Sequence, residues 1–221
     1  KETGSKFIYV SRNTVHSIDN SSIYYCGLSW KFNKLDIPLK GLFQHENATV
    51  ALTALEILAS EHHSITPECA RRGIENVYWP GRLQTVSLHP EVIVDGACNI
   101  GAMMALRDYL LGKKSKDKIV AVFGICKDKE VDKVLEILGQ VTTRIVITQA
   151  NNPRALSAEA LAQRCNNSKK NIVEKDPIKA VQKAVSIAGT DGLVIVTGSL
   201  YLVGEVLKNY ELNYELKALI L

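Results

Sequence analysis

The spacing of hydrophobic residues changes character twice along the chain. Before His45 it consists of short β-rich runs: Phe7 to Val10, Ser21 to Trp30 with its tyrosines, isoleucine and tryptophan, and Leu35 to Leu42. Pro38 removes a ladder donor from the third run and marks it as an edge strand or a strand end. From His45, Val50, Leu52, Ala54, Leu55, Ile57 and Leu58 recur at helical spacing. Asn47 stands near the start of that helix, a capping position. His62 and His63 fall at its end, where cations suit the macrodipole. Thr66-Pro67-Glu68 opens a second helix with proline in an early position, running to about Val77. Pro80-Gly81 then breaks the chain and predicts a domain boundary between residues 1–79 and 80–221.

Beyond the break, strands and helices alternate. Lys118 to Gly124 (KIVAVFG), Arg144 to Thr148 (RIVIT) and Gly192 to Gly198 (GLVIVTG) are short, continuous apolar runs, the pattern of strands buried on both faces. Between them the spacing predicts helices over about Gly101 to Leu111, Glu130 to Gln140, Ala158 to Cys165, Pro177 to Ala188 and Leu200 to Lys208, with Asp176 as a cap. The expected architecture is α/β: a Rossmann-like, mostly parallel sheet with helices on both faces.

Composition narrows the function classes. The 221 residues carry a net charge of +4, with lysine and arginine spread out rather than gathered in a block, so nucleic acid is not implied. Five cysteines, an odd number with no C-x-x-C pair, argue against a disulfide framework or a zinc site and for a reducing, cytoplasmic setting. No apolar run reaches membrane-spanning length, and Lys1-Glu2-Thr3-Gly4 leads straight into a strand-like run without a signal-peptide pattern.

In an open parallel sheet, ligands collect at the carboxyl ends of the strands. Asp95, Gly124 to Lys129, Thr148 to Arg154 and Gly198 to Tyr201 all fall at such ends. Asp95 closes an apolar run, and Gly96-Ala97 lead into a helix N-terminus, a nucleotide-binding pattern that also reads as a hinge turn and a cap. No G-x-G-x-x-G is present, which disfavours a dinucleotide, and no G-x-x-x-x-G-K-[ST], so the chain lacks a triphosphate cradle of its own.

The stretch WPGRLQ followed closely by DGACN resembles the domain junction of the folylpolyglutamate synthase/dihydrofolate synthase family of the Mur ligase superfamily. Gln44-His45-Glu46-Asn47 precedes it; Val122-Phe123-Gly124 with Lys127-Asp128-Lys129, Asn152-Pro153-Arg154 and Thr197-Gly198-Ser199-Leu200-Tyr201 follow in the expected order. The resemblance covers nearly the whole chain but only about the second half of such an enzyme. It implies the tail of the central ATPase domain over 1–79 and the C-terminal, glutamate-binding Rossmann-like domain over 80–221. It further implies ATP-dependent addition of L-glutamate to a folate or dihydropteroate carboxylate through an acyl phosphate. Magnesium ligands and the P-loop are expected in the N-terminal part, with no metal ligand here, so this chain alone is expected to be inactive; a monomer is expected.

Residue by residue, the resemblance implies that Asn47 approaches the adenine, Arg82 reaches the phosphates and Asp95 holds the ribose hydroxyls. Cys98 stands where the family usually has a histidine packed near the adenine, and Ile100 replaces its usual proline. Asn152 and Arg154 form the amino-acid-binding turn, whose planar guanidinium offers two parallel donors to a carboxylate. Ser199 serves as an N-cap, as a donor to a substrate carboxylate, or as both. Lys127 and Lys129 flank Asp128 either as phosphate-side cations or as a solvated cluster, and Lys127 is grouped with Arg82 as catalytic. Two other readings stay open: a cell-wall Mur ligase, which shares Asn-Pro-Arg, and a non-catalytic Rossmann-like module that binds a nucleotide or a partner.

Overall fold

A computed structural model describes residues 7–10, 15–61, 64–142, 144–165 and 171–218; His62 and His63 lie outside the described residues. The chain forms two compact units, residues 1–79 and 80–221.

The first unit is built on an antiparallel sheet ordered β1 (Val15–Ser17), β2 (Ser22–Cys26), β3 (Lys31–Asp36), with helices α1 (Phe43–Ala59) and α2 (Pro67–Glu75). Three sequence expectations are corrected. Phe7 to Val10 lies outside any strand, and the first strand falls instead at Val15–Ser17. The run Ser21 to Trp30 is interrupted after Cys26 by a turn. The backbone N–H groups of Leu28, Ser29 and Trp30 donate to the buried Glu56 carboxylate at 2.6, 3.2 and 2.5 Å. A Cβ on Gly27 would meet the same carboxylate at 2.5 Å, so a larger residue there would press on the group that holds the turn. The third strand occupies Lys31–Asp36 and stops before Pro38, rather than spanning Leu35 to Leu42.

Helix α1 begins at Phe43, so Asn47 lies inside it rather than capping it; its Nδ2 donates to Gln44 Oε1 at 2.9 Å. The helix buries an unusually polar face of Gln44, His45, Thr49, Thr53 and Glu56, while Val50, Ile57 and Leu58 point outward and are exposed. The buried threonines are satisfied locally, since Thr49 and Thr53 donate to the carbonyls of His45 and Thr49 at 2.7 and 2.9 Å. Tyr25, Phe32, Leu35 and Leu52 centre the apolar core of this unit. Thr66 caps α2 by accepting from Cys69 N–H, with Pro67 at the first helical position.

The second unit is a six-stranded sheet ordered β4-β5-β9-β6-β7-β8. Its strands are β4 (Gln84–Leu88), β5 (Glu91–Val94), β6 (Ile119–Phe123), β7 (Arg144–Ile147), β8 (Ile172–Val173) and β9 (Leu193–Thr197). All neighbours pair in parallel except β4, which runs antiparallel to β5. The last strand inserts between β5 and β6, matching Val94 with Val196 and Val122 with Val196 across the two ladders.

The helices are α3 (Ile100–Leu111), α4 (Val131–Leu138), α5 (Ala158–Arg164), α6 (Pro177–Ala188) and α7 (Leu200–Ala218). On one face of the sheet Val94, Val122, Val146 and Val196 pack with Ala180, Val181 and Ala184 of α6 and with Leu202, Val203 and Val206 of α7. The alternate strand residues Ile93, Ala121, Ile145 and Ile195 are buried too, as are Met103 and Leu106 of α3 and Val134 and Leu138 of α4. Both faces are covered, which is why the central strands read as unbroken apolar runs. The α/β, mostly parallel architecture is therefore the expected one, although β8 carried too short a signal to be read. Helices α3, α5 and α6 start on side-chain caps from Asn99, Ser157 and Asp176.

Candidate active site at the carboxyl ends of the parallel strands

Adjacent parallel strands of one sheet end on one side, so the segments after β5, β9, β6 and β7 form a row. They are packed against each other. Gly198, at φ +102°, would place a Cβ 2.6 Å from the carbonyl oxygen of Gly124, and a Cβ on Gly124 would stand 2.9 Å from that of Thr148. Glycine is needed at Gly198 both for its left-handed backbone and for this close approach. Thr197 Oγ1 donates to Ala97 O at 3.4 Å, tying the ends of β9 and β5 together.

At the β5 end, Asp95 is almost fully buried at 5% exposure. One carboxylate oxygen accepts from Leu83 N–H at 3.0 Å and the other from Ala97 N–H at 2.9 Å. Leu83 has φ +44°, a left-handed conformation that costs a leucine energy, and Asp95 holds it in place. Burial pushes the Asp95 carboxyl above its usual value, against the opposing pull of those two N–H groups and of Arg82. Arg82 is half-buried, and its Nη1 lies where a Cβ on Gly96 would meet it at 2.5 Å. Arg82 and Asp95 are thus brought together, with Cys98 half-buried on the same segment. Asn99, next in sequence, caps α3 through Ala102 N–H at 2.9 Å.

At the β9 end, Ser199 is buried and accepts from Tyr201 N–H at 3.2 Å, directly before α7. Its hydroxyl lies 4.0 Å from Cys126 Sγ.

The segments after β6 and β7 are zipped together. Lys127 N–H donates to Arg154 O and Leu156 N–H to Ile125 O, both at 2.9 Å, around an antiparallel bridge between Cys126 and Ala155. Arg154 N–H donates to Asn152 Oδ1 at 2.9 Å, so the Asn152 side chain shapes the turn. Asn151 N–H donates to Glu205 Oε1 at 2.7 Å, fastening the same loop to α7. The Arg154 guanidinium, 55% exposed, donates through Nη2 to Asp128 Oδ2 at 3.0 Å. Lys129 Nζ approaches the same oxygen at 3.4 Å. The Asp128 hydrogen bond, with a further contribution from the Tyr201 side chain, holds Arg154 above its ordinary value. Desolvation acts to raise the Asp128 carboxyl, but the Arg154 hydrogen bond and Lys129 outweigh it and hold it below the usual range. Lys127 is exposed on this loop. Asp128 and Tyr201 lie within strand-end segments that the sequence points to, but the sequence reading gives them no role of their own, and it does not single out Glu205. The acidic residue between two lysines was a visible signal, but its partner lies 26 positions away.

Asn47 belongs to the first unit, on the outward side of α1. Among the described residues, no group of three or more His, Cys, Asp or Glu side chains stands close enough to hold a metal, and no helix is long and apolar enough to cross a membrane. All five cysteines are free thiols.

A mostly parallel sheet covered by helices on both faces, with these loops at its strand ends, defines a domain of the Rossmann-like class. More narrowly, the chain belongs to the Mur ligase family: residues 81–200 match its glutamate ligase domain. The chain is 32% identical over 171 residues to the dihydrofolate synthase/folylpolyglutamate synthase of Bacillus subtilis, a match covering 77% of this chain and 40% of that enzyme. It is 30% identical over 172 residues to a UDP-N-acetylmuramyl-tripeptide synthetase of Lactobacillus acidophilus, covering 73% of this chain and 32% of that protein. The structure of Escherichia coli FolC in complex with DHPP and ADP superposes with a TM-score of 0.75 at 25% identity, over 90% of this chain and 46% of that one. The chain thus spans less than half the length of these relatives.

Proposed function

We propose that this chain supplies the glutamate-binding part of an ATP-dependent ligase that joins L-glutamate to a folate or dihydropteroate carboxylate. The observation that carries the reading is Arg154, a half-exposed guanidinium held by main-chain and side-chain bonds at the sheet's carboxyl edge, within the segment matched to a glutamate ligase domain. In the proposed reaction ATP phosphorylates the acceptor carboxylate, the glutamate amine attacks the acyl phosphate, and phosphate leaves. Arg154 would pair with a carboxylate of the incoming glutamate, and the Ser199 hydroxyl would donate to a substrate carboxylate. Arg82 would meet phosphate charge as it develops, with Lys127 as a further cation. The Asp95 carboxylate already holds the Leu83 turn, so a ribose hydroxyl would meet only its remaining lone pairs. Asn47, its amide fastened to Gln44, would offer its other polar positions to adenine.

Magnesium does not fit the described residues of this chain, which gather no cluster of metal ligands. The reading places the phosphate cradle, the metal ligands and hence activity in a longer protein; the 221-residue chain alone should show no glutamate-dependent phosphate release. The wider protein is taken to be monomeric and cytoplasmic, which sedimentation and fractionation would check.

The decisive test is Arg154→Lys in the ATP-competent protein that contains this chain. Lysine keeps the charge but loses the planar fork. Losing one charge-assisted hydrogen bond, about 1.5–3 kcal/mol, should raise KM for glutamate roughly ten- to hundredfold while KM for ATP stays within about twofold. A rise in KM for ATP with glutamate spared would reverse the assignment. A second reading, a cell-wall ligase acting on a peptidyl precursor, is favoured by the tripeptide synthetase match. The TGSLYLVGEV segment and WPGR favour the folate branch. Turnover with dihydropteroate, compared with a muramyl-peptide acceptor, separates the two.

A further inference from the structure

The surroundings of Arg154 suggest more than a cation waiting for a substrate. One of its terminal nitrogens is held 3.0 Å from a single oxygen of Asp128, and that oxygen also lies 3.4 Å from Lys129. A guanidinium carries five N–H donors arranged along two usable edges. The one-oxygen contact at Nη2 occupies one donor and the Tyr201 side chain engages the group as well, so most of the five donors are left for an incoming carboxylate. The Asp128 contact also restrains the direction of the fork. The backbone of Arg154 is already fixed by Asn152 Oδ1 and by Lys127 N–H, so Asp128 restrains the one part still able to swing, the long side chain.

Resting on the glutamate reading above, we propose that Asp128 is a positioning residue: it aims the Arg154 fork at the glutamate carboxylate rather than competing with it. An arginine ordered beforehand loses less rotamer freedom when substrate binds. Without that restraint the cost falls on the binding step, so the effect belongs in KM for glutamate and not in kcat.

The experiment compares Asp128→Asn, Asp128→Glu and Arg154→Lys in the full ligase, reading KM for glutamate, KM for ATP, kcat and the melting temperature. Asp128→Asn removes the charge but keeps the shape. It is expected to raise KM for glutamate about tenfold, with kcat, KM for ATP and the melting temperature little changed. Asp128→Glu, which restores a carboxylate, should recover most of the loss; a merely structural role would show in the melting temperature and affect both substrates. An unchanged or lowered KM for glutamate in Asp128→Asn, while Arg154→Lys raises it, would overturn the positioning role and leave the glutamate reading intact. No change in glutamate affinity in Arg154→Lys would overturn both.

Discussion

Asp95 and Asp128 both stand beyond the carboxyl end of a parallel strand, β5 and β6, yet their surroundings put them to opposite uses. Asp95 is buried, both oxygens accept backbone N–H groups, and the bonds hold a strained Leu83. Asp128 is 45% exposed, and its side-chain partners are the cations Arg154 and Lys129. A buried carboxylate with backbone partners is architecture, because removing it strands donors away from water. An exposed one among cations contributes little stability and is available to organise a ligand site. The first unit offers a third case, Glu56, which resembles Asp95: a buried carboxylate gathering three backbone N–H groups of the turn between β2 and β3.

The sharpest way to break this contrast is Asp95→Ala. It leaves two buried backbone donors unpaired and should destabilise the protein by about 3–5 kcal/mol in urea melts. The pH dependence checks the cause. Burial raises the folded-state pKa of Asp95, so its contribution is fullest below the unfolded-state value and is lost as pH rises through the folded one. The gap between wild type and Asp95→Ala should therefore be wider near about pH 4 than at neutral pH. A gap that widens with rising pH would mean that hydrogen bonding to the ionised form outweighs burial.

Glu56→Gln is the next largest. The amide puts a donor where the turn needs an acceptor, and a loss of about 2–3 kcal/mol is expected, with exchange protection falling at Leu28 to Trp30. Protection unchanged there would remove Glu56 from the architectural class. Arg154→Ala should shift stability by less than about 0.5 kcal/mol, since its ion pair is solvent-screened. A loss as large as that of Asp95→Ala would erase the contrast.

The smallest effect carries the same opposition to the thiols. Burial pushes Cys165 up to about 11, whereas hydrogen bonds from Thr66 and Arg72 lower the exposed Cys69. Timed iodoacetamide labelling of the native protein should modify Cys69 well before Cys165. The reverse order would show that exposure and hydrogen bonding do not govern reactivity here.

What could be read from the sequence was local. The runs KIVAVFG, RIVIT and GLVIVTG announced strands buried on both faces, and Asp176-Pro177 and Thr66-Pro67 announced helix starts, because period and capping are set by neighbours along the chain. The order WPGRLQ, DGACN, Asn-Pro-Arg pointed to the family that the match over 81–200 confirms. The short strands before Pro38 were misread where a turn depends on Glu56, a residue on a different element.

The sequence by itself thus determined the alternation of strands and helices, the apolar character of the central sheet, and which residue types stand at its strand ends. Only the tertiary structure decided that β9 inserts between β5 and β6, which brings Gly198 against Gly124 and Ser199 beside Cys126. It alone decided that α1 turns its polar face inward and leaves Val50, Ile57 and Leu58 outside, since a period defines a stripe but not what the stripe faces. It alone assigned Asp95 to a buried turn and Asp128 to Arg154. Pairings between distant residues, and the burial that sets a carboxylate's role, come from chain segments meeting in space, and no local pattern encodes them.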